Sequence, residues 1–179
     1  MQEIILGIII VVALIAIILI IMYNRFIQLN IRCNNAWSGI DNQLKRRNDL
    51  IPNLVNVTKG YAKYETETLE KVIEQRSGSI TEIAKQNEEI SKNVSKILAL
   101  AESYPDLKAN QVFMNLQIEL TGTEDKIAYA RQFYNDCVQH FNTTIMMFPN
   151  NIFANMLKYK EREYFKVSDE DKENVSVKL

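Results

Sequence analysis

The chain holds one histidine, His140, and two cysteines, Cys33 and Cys137. A thiolate beside an imidazole can act as a nucleophile, and Cys137 and His140 stand three residues apart, so on a helix they can face each other. Such a pair needs a group that orients the imidazole and surroundings that lower the thiol pKa. Nothing nearby in the sequence supplies either, and Cys137 falls on an apolar seam. Both cysteines therefore read as small buried apolar groups in a reducing compartment, and His140 as a surface or rim residue. A Cys33–Cys137 disulfide stays open on the sequence, but it fits poorly with a cytoplasmic body. There is no Cys-x-x-Cys, Glu-x-x-His or His-Glu-x-x-His spacing, hence no zinc or di-iron ligand set, and no glycine-rich loop to cradle phosphate. No catalytic residue, cofactor or metal is implied.

A second polar group is the run Lys45-Arg46-Arg47 with Asp49. Polybasic segments attract anionic headgroups. If a helix runs unbroken from Met22, however, Arg47 stands roughly 37 Å beyond it at about 1.5 Å per residue, against a Debye length of about 8 Å. Pairing with carboxylates such as Asp49, Glu65 or Glu67 is the preferred reading, and Lys45, Arg46, Arg47 and Asp49 are kept as a candidate partner-binding patch. Trp37, flanked by Ala36 and Ile40, reads as a core anchor. A net charge of −1 gives no field that would favour nucleic acid.

These residues follow a long apolar run. From Ile4 to Met22, fifteen positions are Ile, Leu or Val and none is charged. About 20 apolar residues at about 1.5 Å each span a hydrocarbon core of about 30 Å, and insertion gains on the order of 4 to 9 kcal/mol. A cleaved signal is the weaker reading: no basic residue precedes the run, and Met22-Tyr23-Asn24 offers no small-x-small site. No second apolar run is present, so a single crossing of the bilayer through residues 4–22 is expected. Arg25 and Arg32 follow the run while only Glu3 precedes it, which places the N-terminus outside and the body in the cytoplasm. Tyr23 is expected at headgroup level.

The body is written in sevens. Phe113, Leu120, Ile127, Tyr134, Phe141 and Phe148 form one row, and Leu116, Thr123, Ala130, Cys137 and Thr144 lie three residues after the first five. Such a seam predicts a long helix packed along its length and ended by Pro149. A middle segment repeats the pattern: Leu69, Ile83, Ile90, Ile97 and Tyr104 share a row broken by Arg76, and Ile73, Ile80, Val94 and Ala101 share one broken by Asn87. Ser77-Gly78-Ser79 reads as a weak spot where this helix bends or frays, and Pro105 closes it. The first segment carries Phe26, Cys33, Ile40, Leu54 and Tyr61 in one row, with Trp37, Leu44 and Ile51 beside it. Its phase survives Pro52, which predicts a kinked helix in preference to a new one capped by Asn48 or Asp49. Gly60 to Glu65 is the expected reversal.

The expected fold is all-α. A transmembrane helix continues into an antiparallel up-and-down bundle of three long helices plus a short fourth, from Asn150 or Asn151 to about Tyr159. In that fourth helix Phe153, Met156 and Leu157 fold back onto the bundle. The divisions are 1–3 external, 4–22 transmembrane, 23–165 helical bundle and 166–179 a charged, disordered tail.

Some of these residues carry a family resemblance. The stretch Ala36-Trp37-Ser38-Gly39-Ile40-Asp41-Asn42-Gln43-Leu44-Lys45-Arg46-Arg47-Asn48-Asp49-Leu50-Ile51-Pro52-Asn53-Leu54-Val55 resembles the signature of the LemA family. Lys59-Gly60-Tyr61-Ala62, Leu107-Lys108-Ala109-Asn110, Leu116-Gln117 and Thr123-Glu124-Asp125-Lys126-Ile127-Ala128 continue it. Ala130-Arg131, Tyr134-Asn135, Phe148-Pro149 and Ala154 complete it. The resemblance implies a bacterial single-pass membrane protein with a helical-bundle body, no established enzymatic activity and no catalytic residues to carry over. It also implies association with membrane metalloprotease or envelope-stress functions.

The expected function is a non-enzymatic, membrane-anchored interaction or scaffold protein of the cell membrane. Its partners would be the lipid bilayer and other proteins, a membrane metalloprotease among them. One alternative is a self-assembling homo-oligomer using Phe133, Val138, Ile145 and Val112 as a second face. The other is a bundle that binds a small ligand between its helices.

Overall fold

The structure, a computed structural model, describes residues 1–61 and 79–166. The elements among them are helical: α1 (Gln2–Lys59), α2 (Ile80–Leu100), a 3-10 turn (Ala101–Ser103), α3 (Pro105–Lys108), α4 (Gln111–Met146) and α5 (Asn150–Met156). The all-α class is as expected.

Helix α1 has two chemically different parts. Among the described residues none of its most apolar stretch is buried, and it is long and apolar enough to cross a membrane. From Met22 onward the buried positions recur every three or four residues: Phe26, Leu29, Cys33, Ala36, Ile40, Leu44, Arg47, Ile51, Leu54 and Thr58. That spacing keeps one stripe facing the bundle. Pro52 lies inside the helix, so no new helix begins there. Proline removes one backbone hydrogen bond, and the burial of Ile51, Leu54 and Val55 around it holds the turn. The helix ends before Gly60, with the Tyr61 amide donating to the Thr58 carbonyl at 3.0 Å. The rest of the expected reversal, the carboxylates Glu65 and Glu67, the row positions Leu69, Ile73 and Arg76, and the tail from residue 167 lie outside the described residues.

Helix α2 starts where a weak spot was expected. The Ser79 hydroxyl accepts from the Glu82 amide at 3.4 Å, and the Glu82 carboxylate accepts from the Ser79 amide at 2.7 Å. This reciprocal cap satisfies two amides that the first turn leaves open, so Ser79 begins a helix instead of fraying one. Ser77 and Gly78 lie outside the described residues. Pro105 stands at the first turn of α3, after the 3-10 turn has already closed α2.

The long helices do not simply alternate. Arg32 lies over the Phe133 ring, Trp37 meets Tyr134, and Arg46 reaches Glu119, so α1 and α4 run antiparallel. Asn110, at the start of α4, donates to the Tyr61 hydroxyl just past the end of α1. Helix α2 runs the same way as α1. Its first turns join the core around Leu44 and Ile127, and its last join the core around Leu54 and Leu120. Strict alternation would set α1 antiparallel to α2 and parallel to α4; instead α4 runs against both, so the expectation holds for α2 with α4 and fails for α1 with either partner.

Along α4 the seven-residue row is buried from Phe113 through Phe141, and the second row is buried at Leu116, Thr123, Cys137 and Thr144. Phe148 departs from it at 79% exposure, because the helix stops at Met146 and the row loses its register. Helix α5 takes Pro149 as its cap residue with no side-chain cap; Asn150 and Asn151 lie within it. Only Phe153 and Ala154 turn to the core, while Met156 and Leu157 stay exposed. Val138 and Ile145 are buried as well, so the second face expected for self-assembly keeps only Phe133 and Val112.

Beyond α5 the chain reverses. Lys158 adopts φ 57°, the Tyr159 amide donates to the Ala154 carbonyl at 2.9 Å, and the Lys158 amide to the Asn155 carbonyl at 3.1 Å. These are the two bonds of a Schellman ending, in which one left-handed residue turns the backbone out of the helix. Residues 157–165 then run as a non-helical strap along the α1–α4 pair, back toward the start of α2. Tyr159 packs edge-on against both Phe26 and Phe141, and Phe165 lies against Trp37.

Candidate functional site

The candidate patch does not form one surface. Lys45, Arg46 and Asp49 are exposed, whereas Arg47 is 1% exposed and points into the bundle. Arg46 pairs loosely with Glu119 at 3.8 Å. The Arg47 Nη1 donates to the Glu124 carboxylate at 3.2 Å, to the Ser91 hydroxyl at 3.0 Å and to the Asn87 carbonyl at 3.4 Å. The Ser91 hydroxyl in turn donates to Glu124 at 3.1 Å. A guanidinium loses its hydration in such a place and persists only where acceptors replace it. Helices α2 and α4 supply those acceptors to the arginine of α1. The layer lies between the two apolar cores and gives them one register. It was legible: Arg47 occupies the place between Ile40 and Leu54 in the row of sevens, and Asn87 interrupts the matching row of α2.

The strap forms a second polar assembly that the sequence reading missed. Asn142 donates to the Arg162 carbonyl at 2.9 Å and accepts from the Arg162 amide at 2.8 Å. Seven residues earlier, Asn135 treats Phe165 the same way, at 3.0 and 2.8 Å. Two carboxamides on one helix face thus imitate the edge of a sheet. The Tyr134 hydroxyl donates to the Glu163 carbonyl at 3.0 Å. The Arg162 guanidinium reaches across to α1, donating to Asn30 and to Asn34 at 2.8 Å, and lies over the Phe141 ring. Arg131 lies over the Phe165 ring at 4.8 Å. The repeated asparagines at 135 and 142, and the i, i+4 pair Asn30 and Asn34, were the available signal.

The strap and α2 share one side of the α1–α4 pair. A different side carries an open groove of about 440 Å³, lined by Ala36, Gly39, Gln43, Lys126, Tyr129 and Phe133 among others. Tyr129 is 73% exposed and Phe133 40%. A methyl placed on Gly39 would meet nothing within 4 Å, so the groove floor is open. This groove face leads toward Arg46 and Glu119.

Reactive groups are sparse. Cys33 and Cys137 are both buried and free, with no disulfide between them. Burial pushes the Cys33 thiol up, against the opposing pull of Arg162. Burial likewise pushes the Tyr134 hydroxyl up. His140 is exposed. Among the described residues no three His, Cys, Asp or Glu side chains gather to hold a metal.

Sequence comparisons place this architecture among known proteins. The protein LemA of Metamycoplasma hominis is 29% identical over 147 residues, covering 79% of this chain and 67% of the relative. The magnetosome proteins MamQ 2 of Paramagnetospirillum magneticum and MamQ of Magnetospirillum gryphiswaldense are each 23% identical over 178 residues, covering 82% of this chain and 65% of the relative. The chain therefore spans about two thirds of the length of these relatives. The LemA family profile matches residues 36–179, which takes in the buried Arg47 layer, the groove and the strap, and the chain belongs to the LemA family.

Proposed function

We propose that this protein is a non-enzymatic, membrane-anchored docking platform. The apolar part of α1 crosses the bilayer once, with the N-terminus outside and the bundle on the cytoplasmic side. The excess of Arg and Lys after the span supports that orientation. The observation that carries the docking role is the open α1–α4 groove, with Tyr129 and Phe133 exposed beside a floor of Ala36 and Gly39. Exposed aromatics around a small-residue floor suit a partner helix, because the floor lets its backbone come close while the rings cover its flanks. Lys45, Arg46 and Asp49, further along α1, would provide the polar rim. A membrane metalloprotease is the partner class to try first. The exposed His140 and the buried thiols give little support to catalysis.

Photocrosslinking tests the reading. A photoreactive amino acid at Tyr129 of the full chain in native membranes should give a discrete adduct with another protein. Gly39→Leu should abolish that adduct without lowering the melting temperature. Adducts only between copies of this chain would favour the self-assembling reading; no adduct at all would overturn docking at the groove.

A further inference from the structure

The bundle end nearest the apolar span is itself apolar. Met146, Met147, Phe148, Ile152 and Met156 are each more than half exposed, and Leu157 is exposed beside them. They occupy the last turn of α4, the turn after it and the outer side of α5. In a water-soluble bundle such a cluster is costly to leave wet, and its position says what covers it. Phe26 and Phe141 share Tyr159, so they stand at one height. Phe26 is four residues beyond Met22, about 6 Å along the helix axis. Helix α4 runs the opposite way, and from Phe141 to Met147 it descends about 9 Å. Met147 and the turn that follows it therefore lie level with or below Met22, where burial in the bundle begins and the apolar run ends.

We propose that this end is a membrane foot: the segment from Met146 to Leu157 seats its apolar side chains in the headgroup–acyl boundary of the bilayer that α1 crosses. The proposal rests on the reading of α1 as a membrane span. An interfacial element of this kind buries its apolar side about 5–10 Å deep and keeps cationic side chains among the headgroups. Arg25, Lys158 and Lys160 are exposed around this end, with Glu161 beside them. The foot adds a second attachment, so the bundle stands on the bilayer at a fixed height and rotation and does not pivot about a single helix. The groove at Gly39 is then held at a constant distance from the lipid.

The test uses the full chain in liposomes carrying nitroxide-labelled lipid. A fluorophore is placed in turn through Met147→Cys, Ile152→Cys, Val12→Cys within the span, and Ile118→Cys, an exposed α4 position on the far side of the bundle from the foot. The native thiols are buried and stay unlabelled. Quenching by lipid at 147 and 152 should exceed that at 118 by about threefold or more, the signature of interfacial depth. Strong quenching at 12, with 147 and 152 resembling 118, would overturn the foot and leave the span intact. Absence of quenching at 12 would overturn the span and the foot with it. Shielding of 147 and 152 from both lipid nitroxide and aqueous iodide would show a protein cover, which also overturns the foot.

Discussion

Asn142 holds the backbone of Arg162 through both of its amide atoms, one bond at 2.9 Å and one at 2.8 Å. Asn135 repeats the grip on Phe165. Alanine at position 142 would strip partners from a part-buried N–H and C=O together, a change worth about 1–3 kcal/mol. The strap should then open before the bundle does. Hydrogen exchange on the full chain should show the Arg162 and Phe165 amides protected in the parent, with Arg162 losing protection in Asn142→Ala. Proteolysis at Lys158 or Lys160 should quicken in the same variant. An Arg162 amide exchanging at the parent rate in Asn142→Ala would mean that Asn135, the Tyr134 hydroxyl, the Arg162 guanidinium and the aromatic contacts hold the strap without Asn142.

The buried layer predicts an asymmetry. Glu124 is about one-third exposed, whereas the Arg47 side chain is 1% exposed. Glu124→Leu strands a buried guanidinium on neutral acceptors and should cost about 2–4 kcal/mol. Arg47→Leu instead places an apolar residue in an apolar row and lets the Glu124 carboxylate turn to water, so its cost should fall to about 1–2 kcal/mol. Denaturant midpoints for the two variants decide the order, and an inverted order would refute this account of the layer.

Much of the fold was legible because the helices obey one period. The row from Phe113 to Phe141 names the α4 core, and the row through Phe26, Cys33, Ile40 and Leu54 names that of α1. The polar layer was legible too, since Arg47 stands in an apolar row, although its neighbours in sequence made it resemble a surface patch. The direction of α2 was not. Period says which side of a helix is buried but not which way it points, and the capping box of Ser79 and Glu82 fits a longer helix's interior composition equally well. The strap escaped because its bonds run from side chain to backbone. Asparagine spacing on α4 marks where a strap can be held, while nothing local in residues 159–165 marks that segment as its occupant.

Tyr134 supplies a pH prediction. Burial holds its hydroxyl neutral beyond the usual value of 10.0, so the folded protein keeps a proton that the unfolded chain gives up first. The resulting stability is complete below the unfolded value and is lost as pH rises through the folded one. Cys33, raised from 9.0 by burial, acts in the same direction and begins about one pH unit earlier. Chemical denaturation should therefore show flat stability from about pH 7 to 8.5 and a decline above that. Tyr134→Phe should flatten the part of the decline above about pH 10, and thiol reagents should label neither cysteine until the bundle unfolds. A decline of equal steepness in Tyr134→Phe would assign the alkaline loss to other groups.

Gly39 separates stability from docking. It lies inside α1, where glycine costs about 0.5–1 kcal/mol relative to alanine. An added methyl meets nothing within 4 Å, so no packing penalty offsets that gain. Gly39→Ala should raise the melting temperature by a few degrees, roughly the shift expected for about 1 kcal/mol in a domain of this size. Gly39→Leu should leave it near the parent value while filling the groove floor between Ala36 and Gln43. A partner helix that approaches this floor must tolerate the methyl poorly and the isobutyl group not at all. The crosslink from position 129 should therefore weaken in the first variant and vanish in the second, even as the first grows more stable. A crosslink that survives Gly39→Leu at full yield would place the partner's contact on the Tyr129 ring and away from the groove.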